Sequence, residues 1–414
     1  MEARTGRRSR WLGAGILLVA GVAIATATLS GSDGVGGNSG SGGLCLLACG
    51  SRGLADVIAN LILFLPLGVG LWMLSGRVDR PALIGMGVSI AIELAQLSLI
   101  QGRDANPSDV ISNTAGAALG ALLARWWISS VPRRPRPGRY SLVTAAAALI
   151  AVLAATGLLF FPSLPAGPYR VEWQNGSERY GAYQGDISRA ALGNRAVPIH
   201  GGILTDRPGD RLDAGEPLVV TVRKAAGYAG LEHLLSLEQG EKDVLFLGID
   251  GGDVVLRYET WATRLRLDTP SVRLEDGLAN VDVGDTVSLV VRRSGSGYCV
   301  EAMQRRACPQ NTLASGWRLI HNIEYISRWA LVRMNSVWLF LLALPLGLCA
   351  RRDTFSLLVV GGTGAGVVVL TALLAAAPLS GLEWIFAVLG LTFGWLLGAW
   401  RRLPQTWVYV KADE

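Results

Sequence analysis

Eight apolar segments, each roughly the length of a membrane-spanning helix, restrict most strongly how this 414-residue chain can fold. They lie at about residues 11–30, 57–74, 82–100, 109–127, 142–161, 332–350, 355–377 and 382–400. A helix of about 20 apolar residues crosses the hydrocarbon core of a bilayer, and half of the residues here are hydrophobic. The pattern predicts an α-helical polytopic membrane protein with about eight transmembrane helices and the lipid bilayer as a partner.

Short basic runs flank these segments, at residues 4–10, 133–139, 351–352 and 401–402. Lys and Arg are enriched in the cytoplasmic loops of membrane proteins, and all four runs fall inside if both termini are cytoplasmic. We therefore expect a multi-pass protein of the bacterial cytoplasmic membrane with cytoplasmic N- and C-termini. The net charge of +6 has the same origin and does not indicate a nucleic-acid partner. The first segment is interpreted as a retained helix rather than a cleaved signal peptide, because a clean short apolar core ending in a cleavage site is missing.

Residues 169–317 contain no apolar run long enough to cross a membrane. Short β-branched runs alternate there with Gly-Asp, Asp-Gly and Gly-Ser turns, a pattern typical of an all-β sandwich. The eight-crossing topology puts this inserted domain on the extracytoplasmic side. The predicted domains are a four-helix membrane domain at 1–130, a basic cytoplasmic loop and fifth helix at 131–168, the sandwich at 169–330, three C-terminal helices at 331–402 and a cytoplasmic tail at 403–414.

Polar side chains occur within the second, third and fourth apolar segments, where a plain membrane anchor would have none. They are Asp56, Asn60, Glu93, Gln96, Asp109 and Asn113. Asp104 lies in the turn between the third and fourth segments. Each pair is spaced by three or four positions and so shares a helix face. Because ionisable groups are costly at membrane depth, we predict one outward-facing pocket, with Glu93 and Asp109 as candidate catalytic residues. The alternatives are interhelical hydrogen bonding and, for Asp109, an N-cap role.

The five cysteines include Cys299 and Cys308, which flank a polar connection in the predicted exported domain. A disulfide between them is plausible in an oxidising compartment. Cys45 and Cys49 either pair in the same way or are small apolar residues at a membrane surface, and both interpretations stay open. The three histidines show no metal-ligand spacing, so no metal site is predicted from them.

The membrane segment resembles the VanZ-like family of bacterial membrane proteins over about residues 11–128. The matching motif is Asn60, then Phe64–Gly68, then Glu93 with Gln96, then Asp109 with Asn113 and Gly116. The resemblance implies a cell-envelope membrane protein associated with glycopeptide (teicoplanin-type) resistance.

The inserted domain resembles a concanavalin A-like lectin or laminin-G sandwich through residues 231–260 and 281–302. The resemblance implies a jelly roll that binds carbohydrate. Trp173 and Trp261 could stack on sugar rings, although core packing is the favoured role. Three aspartates, Asp243, Asp250 and Asp253, could supply oxygen ligands to Ca²⁺, although turn residues are the favoured interpretation.

Three functions follow, in order of preference. The first is binding of an envelope glycan or glycopeptide through the exported sandwich, which is expected to lie over the membrane pocket. The second is an intramembrane enzyme acting on a lipid-linked or phospholipid substrate, with Glu93 as general acid or base. The third is a transporter or proton relay, which is disfavoured because all the polar pairs gather at one end of the helices. Residues 332–402 are interpreted as an anchoring bundle without a polar site.

Overall fold

The computed structural model describes residues 7–29, 52–99, 106–130, 138–173, 180–198, 202–226, 230–240, 242–323 and 326–400. Its helices within these ranges are α1 Arg7–Leu29, α2 Gly53–Ser75, α3 Asp79–Leu99, α4 Pro107–Ser130, α5 Arg139–Leu159, α6 Pro208–Asp213, α7 Trp261–Arg264, α8 Arg328–Cys349, α9 Thr354–Leu373 and α10 Gly381–Trp400. Eight of these described helices have 20 or more residues.

Seven of the long helices are apolar enough to cross a membrane, which establishes a multi-pass membrane protein. The predicted eighth crossing, α4, is not among them. Its first half carries Asp109 and Asn113, which lower its mean hydropathy. Its 24 residues nevertheless extend about 36 Å, longer than the hydrocarbon core is thick.

The chain divides into two compact units. The first unit comprises Met1–Pro135 and the short segment Thr263–Asp268, and its helices are α1 to α4. The second unit comprises Arg136–Ala262 and Thr269–Glu414, and it holds α5, the β-sheets and α8 to α10.

Helices α2 and α4 of the first unit pack at glycine positions. A Cβ on Gly68 would lie 2.0 Å from the Ala117 carbonyl oxygen, and one on Gly120 would lie 2.1 Å from that of Leu65. Both distances are far below van der Waals contact, so only glycine allows the two backbones to approach this closely. Phe64 of α2 is fully buried in a different cluster, with Ala20 and Ile24 of α1.

The helices of the second unit enclose a separate apolar core. Leu142 and Leu153 of α5 are buried in one cluster with Leu339 and Leu346 of α8. Pro345 lies within α8, as Pro66 lies within α2. A proline inside a helix frees a backbone carbonyl from its hydrogen bond, and membrane helices tolerate this when neighbouring helices pack against the freed region.

The strands of the second unit confirm the predicted inserted β-sandwich. They are β1 Tyr169–Trp173, β2 Gly181–Ala182, β3 Asp186–Leu192, β4 Arg195–Ala196, β5 Gly202–Leu204, β6 Leu218–Arg223, β7 Leu231–Gln239, β8 Lys242–Asp250, β9 Asp253–Tyr258, β10 Val272–Leu274, β11 Thr286–Ser294, β12 Gly297–Ala302 and β13 Arg305–Ala307.

These strands form two sheets. A seven-stranded sheet has the order β10-β9-β8-β7-β1-β5, with β2 added in parallel to β7, and a six-stranded sheet has the order β13-β12-β11-β6-β3-β4. Apart from β2, every pairing is antiparallel. Leu235, Leu245 and Leu256 of one sheet share a buried core with Val220 and Leu289 of the other, as alternation along sandwich strands requires.

Cys299 of β12 and Cys308, just beyond β13, are joined by a disulfide with an S–S distance of 2.08 Å. Cys349, in α8, is a free thiol. Cys45 and Cys49 lie outside the described residues, as does Asp104.

Candidate functional site

The first interhelical contact of the predicted pocket joins α2 to α4. The Asn60 side-chain amide donates a hydrogen bond of 3.0 Å to Asp109 Oδ1. Both side chains are half-buried. The predicted convergence of these two residues is therefore present in the structure.

The carboxylate of Glu93 reaches the turn that precedes α4. Its Oε2 accepts a hydrogen bond of 2.9 Å from the Asn106 backbone N–H, and Glu93 is only 8% exposed. Asn106 in turn caps α4, because its Oδ1 accepts the Ser108 backbone N–H at 3.1 Å. The alternative of an Asp109 N-cap is therefore wrong: Asp109 is the third helical residue, after Pro107, and its side chain faces Asn60.

Two further contacts extend the polar site to α1 and along α3. Gln96 donates to the Thr28 carbonyl oxygen at 3.0 Å, and Asn113 donates to the buried Ser89 hydroxyl at 2.9 Å. Asn113 is 3% exposed, and its Oδ1 has no hydrogen-bond partner among the described residues. Asp56, by contrast, is exposed in the first turn of α2. The candidate residues thus connect all four helices of the first unit at one end, with Asp56 at the margin.

The segment Thr263–Asp268 contributes contacts that sequence reasoning missed. The Arg266 carbonyl oxygen accepts the backbone N–H groups of Leu54 and Ala55, each at 3.2 Å. Arg52 also pairs with Asp268 at 2.7 Å. The first backbone N–H groups of a helix lack partners within the helix, so this carbonyl caps α2. More than 200 positions separate the partners, and no local signal marks the contact.

A second buried carboxylate, Glu383 at the start of α10, belongs to the other unit. Its Oε1 accepts the Thr312 hydroxyl at 2.8 Å, and its Oε2 accepts the Ser380 backbone N–H at 2.5 Å. Asn335 of α8 donates to Thr312 Oγ1 at 3.3 Å and to Ser315 Oγ at 3.1 Å. The interpretation of residues 332–402 as lacking a polar constellation was therefore wrong. The available signal was the sequence Ser380-Gly-Leu-Glu383, a capping box.

The outer face of the seven-stranded sheet carries a group of side chains that we call the aromatic face. Its members are Tyr180, His233, Phe246 and Arg257. The Tyr180 and Phe246 ring centroids are 4.5 Å apart, and those of His233 and Phe246 are 5.4 Å apart. The Arg257 guanidinium lies 6.0 Å from the Tyr180 ring centroid and 5.7 Å from that of Phe246, within cation–π range.

Burial shifts the pKa of two neighbouring residues of β7, of which only His233 belongs to the aromatic face. It lowers the pKa of His233 to about 4, so the imidazole is neutral at pH 7, and nearby Glu172 opposes this shift. Burial also raises the pKa of Glu232, which is 2% exposed. Glu232 lies opposite the core residue Ile249 in the β7–β8 pairing, so its side chain is on the other face of the sheet. The aromatic face therefore combines ring surfaces with a neutral imidazole and a guanidinium.

The residues predicted for the lectin-like domain have other surroundings. Trp173 donates its indole N–H to the Pro198 carbonyl oxygen at 2.7 Å and packs on the sandwich core, whereas Trp261 is 50% exposed. Asp250 and Asp253 both pair with Arg273, the first at 2.8 Å. The remaining aspartate, Asp243, lies opposite Glu238 in the β7–β8 pairing.

Comparison with known proteins gives one family. Residues 23–128 match the family model described as VanZ/LLP1, so the chain contains a VanZ-like domain formed by the end of α1 and by α2 to α4. The two sheets agree with the lectin-like domain expected after it. Neither a curated protein nor a solved structure matches the chain.

Proposed function

Starting from a VanZ-like membrane domain with an inserted sandwich, we propose that this protein is an envelope receptor whose sandwich lies outside the cytoplasmic membrane and binds a glycan on the aromatic face. The observation that carries the proposal is the grouping of the Tyr180 and Phe246 rings with the Arg257 guanidinium on one face of the sheet. The outward orientation rests on the basic runs that flank the membrane segments.

The chemistry of the aromatic face suits a sugar. A pyranose ring presents C–H groups that pack on an aromatic ring, and it presents hydroxyl donors around its edge. The half-buried Tyr180 and Arg257 offer the accessible part of this surface. Arg257 adds a positive charge for the carboxylates of a peptide-bearing glycan.

A glycopeptide or peptidoglycan fragment fits this surface better than a neutral sugar, since it supplies both hydroxyls and carboxylates. Such binding links the sandwich to the glycopeptide resistance with which the VanZ-like family is associated. The VanZ-like domain then serves as the membrane part of the receptor.

Titration of the full chain in lipid nanodiscs with soluble disaccharide-peptide fragments of peptidoglycan tests the proposal. We expect Arg257→Gln and Tyr180→Ala each to weaken binding by about tenfold, the loss of roughly 1.4 kcal/mol. The matched control is Arg292→Gln, an exposed arginine on the six-stranded sheet, which should bind as the wild type does. Equal affinities for all three variants, or no binding by the wild-type chain, would overturn the proposal.

A second candidate is an intramembrane reaction on a lipid-linked substrate through Glu93 and Asp109. The supporting observation is Asn113 Oδ1, a buried acceptor without a described partner, one turn beyond Asp109 in α4. The test is growth in a glycopeptide antibiotic of cells producing Glu93→Gln or Asp109→Asn, with membrane levels checked by immunoblot. Lost protection at normal protein level supports a reactive site, and unchanged protection assigns both carboxylates to helix packing.

A further inference from the structure

The α8–α10 interface repeats the α2–α4 interface contact by contact. A Cβ on Gly116 of α4 would lie 2.6 Å from the Leu61 carbonyl oxygen, and a Cβ on Gly390 of α10 would lie 2.3 Å from that of Phe340. Leu61 and Phe340 are 279 positions apart, and Gly116 and Gly390 are 274 positions apart. One glycine contact of this kind would be unremarkable between membrane helices.

Two further contacts keep the same two offsets. A Cβ on Gly120 would lie 2.1 Å from the Leu65 carbonyl oxygen, and one on Gly394 would lie 2.3 Å from that of Leu344. In the reverse direction, a Cβ on Gly347 would lie 2.1 Å from the Leu391 carbonyl oxygen, as one on Gly68 would lie 2.0 Å from that of Ala117. The tetrapeptide Leu-Pro-Leu-Gly also occurs in both helices, at residues 65–68 and 344–347.

The same offset aligns the starts of α4 and α10. Asn106 corresponds to Ser380, and each caps its helix through its side-chain oxygen, to Ser108 N at 3.1 Å and to Glu383 N at 3.3 Å. Asp109 corresponds to Glu383, the third residue of its helix in both cases. In both units the backbone N–H of the capping residue donates to a carboxylate.

We propose that the α8–α10 pair is a second, diverged copy of the α2–α4 pair, and that its carboxylate site, centred on Glu383, is a ligand site filled by Thr312 of the same chain. In the first copy, the donor to Asp109 is Asn60 of α2. The position in α8 equivalent to Asn60 is Leu339, which has no donor. The Thr312 hydroxyl, from the connection after β13, supplies the missing hydrogen bond.

The surroundings of Thr312 are those of a bound ligand. Thr312, Ser315 and Glu383 are buried, at 8%, 0% and 1% exposure. Trp317 donates its indole N–H to Asn335 Oδ1 at 2.8 Å, and Asn335 binds both hydroxyls. The class of ligand that this site recognises is therefore a hydroxyl-bearing peptide segment, held by a carboxylate and an amide.

Placing an asparagine at Leu339 tests whether this position is equivalent to that of Asn60. In the full chain purified in detergent, we expect Thr312→Val to lower the thermal midpoint by about 2–4 °C. Adding Leu339→Asn to that variant should restore at least half of the loss, because the new amide occupies the position that Asn60 holds beside Asp109. Leu342→Asn, at a neighbouring α8 position, is the control and should restore nothing.

Failure of Leu339→Asn to rescue, or equal rescue by Leu342→Asn, overturns the proposal. If Thr312→Val does not fold, the same comparison is made in the otherwise wild-type chain with Glu383→Gln. Leu339→Asn must then lower the midpoint more in the Glu383→Gln background than alone, because the new amide loses its charged acceptor. Additive effects would show that residue 339 does not face the carboxylate.

An independent observation concerns a cavity of about 620 Å³ at the turn between α8 and α9. Its lining includes two arginines and several apolar side chains, namely Arg351, Arg352, Leu357, Leu391 and Trp395. The Arg352 guanidinium lies 4.7 Å from the Trp395 ring centroid. Guanidinium groups next to apolar helix surface are the combination that binds anionic lipid headgroups.

The turn between α2 and α3 corresponds to the turn between α8 and α9. The aspartates of the two turns, Asp79 and Asp353, have different hydrogen-bond partners. Arg77 there makes two hydrogen bonds to Asp79, at 3.1 and 3.0 Å. The equivalent Asp353 instead accepts the Ser356 backbone N–H at 2.7 Å and caps α9. We infer that the α8–α9 cavity binds the phosphate of an anionic phospholipid, with an acyl chain along Leu357 and Leu391.

Native mass spectrometry of the full chain with phosphatidylglycerol or phosphatidylcholine tests this site. We expect phosphatidylglycerol to be retained at least fivefold more, and Arg352→Gln to remove that preference. Arg77→Gln, at the equivalent turn, is the control and should keep it. Equal retention of both lipids, or displacement of phosphatidylglycerol by millimolar inorganic phosphate, would overturn the assignment to a lipid.

Discussion

Acidification should destabilise the sandwich through His233. The folded state holds the pKa of His233 near 4 because burial disfavours the imidazolium, against 6.5 in the absence of burial. The unfolded chain therefore takes up a proton on this residue at a pH where the folded chain does not, and stability falls as the pH drops from about 6.5 to about 4. At pH 5, about 1.5 units below the unfolded value, the loss is about 2 kcal/mol.

Two carboxylates on the same sheet act in the opposite direction. Burial raises the pKa of Glu232 and of Glu238, so each favours the folded state as the pH falls. The contribution of His233 must therefore be isolated by comparing the wild-type chain with His233→Gln at pH 7 and at pH 5.

Pulse proteolysis of the full chain in urea gives the unfolding midpoint of the sandwich. With a urea dependence of about 2 kcal/mol per molar, the wild-type midpoint should fall by about 1 M more than that of His233→Gln between pH 7 and pH 5. His321→Gln, which replaces an exposed histidine, should behave as the wild type does. The reasoning is refuted if the urea midpoint falls by the same amount between pH 7 and pH 5 in His233→Gln and in the wild type.

The remaining predictions concern stability. Glu93→Gln should lower the free energy of unfolding by about 2 kcal/mol, because the Asn106 backbone N–H loses a charged acceptor; thermal melting in detergent measures this, and an unchanged midpoint would contradict it. Cys299→Ser should lower the free energy of unfolding by about 2–3 kcal/mol, because the disulfide no longer closes a short loop. The sandwich should then be proteolysed faster under non-reducing conditions, and the reduced wild-type chain is the control, which should be cleaved at the same increased rate. Gly120→Leu should separate α2 from α4 and abolish a folded, monodisperse detergent peak, whereas Gly87→Leu, in open space, should not.

Much of the fold was predictable because its signals are local. Apolar segments of about 20 residues predict membrane helices, and alternating β-branched runs predict strands, so both the helical part and the inserted sandwich were anticipated. The count of crossings was less secure, because α4 combines a membrane-length helix with Asp109 and Asn113 and fails a hydropathy criterion. Hydropathy alone cannot decide whether a helix crosses the membrane when its polar side chains are hydrogen-bonded to neighbouring helices.

The candidate sites were predictable only where spacing along one helix was informative. The pairing of Asn60 with Asp109 followed from helix periodicity and short loops. The alternative of Asp109 as an N-cap was wrong, although Asn106 stands directly before Pro107, the arrangement that marks a helix start. The contacts of Glu383 with Thr312, and of Arg257 with Tyr180, join residues 71 and 77 positions apart. No local pattern encodes such pairs.

The two matching helix pairs follow connections of very different size. A Gly/Ser-rich stretch at 30–52 precedes the α2–α4 pair, whereas the entire sandwich, between α5 and α8, precedes the α8–α10 pair. The close glycine contacts are the same in both pairs. The packing of these two helices therefore does not depend on the length of the preceding connection, whose cost in loop entropy grows only slowly with length. We expect a different folded domain inserted at this position to leave the membrane helices intact.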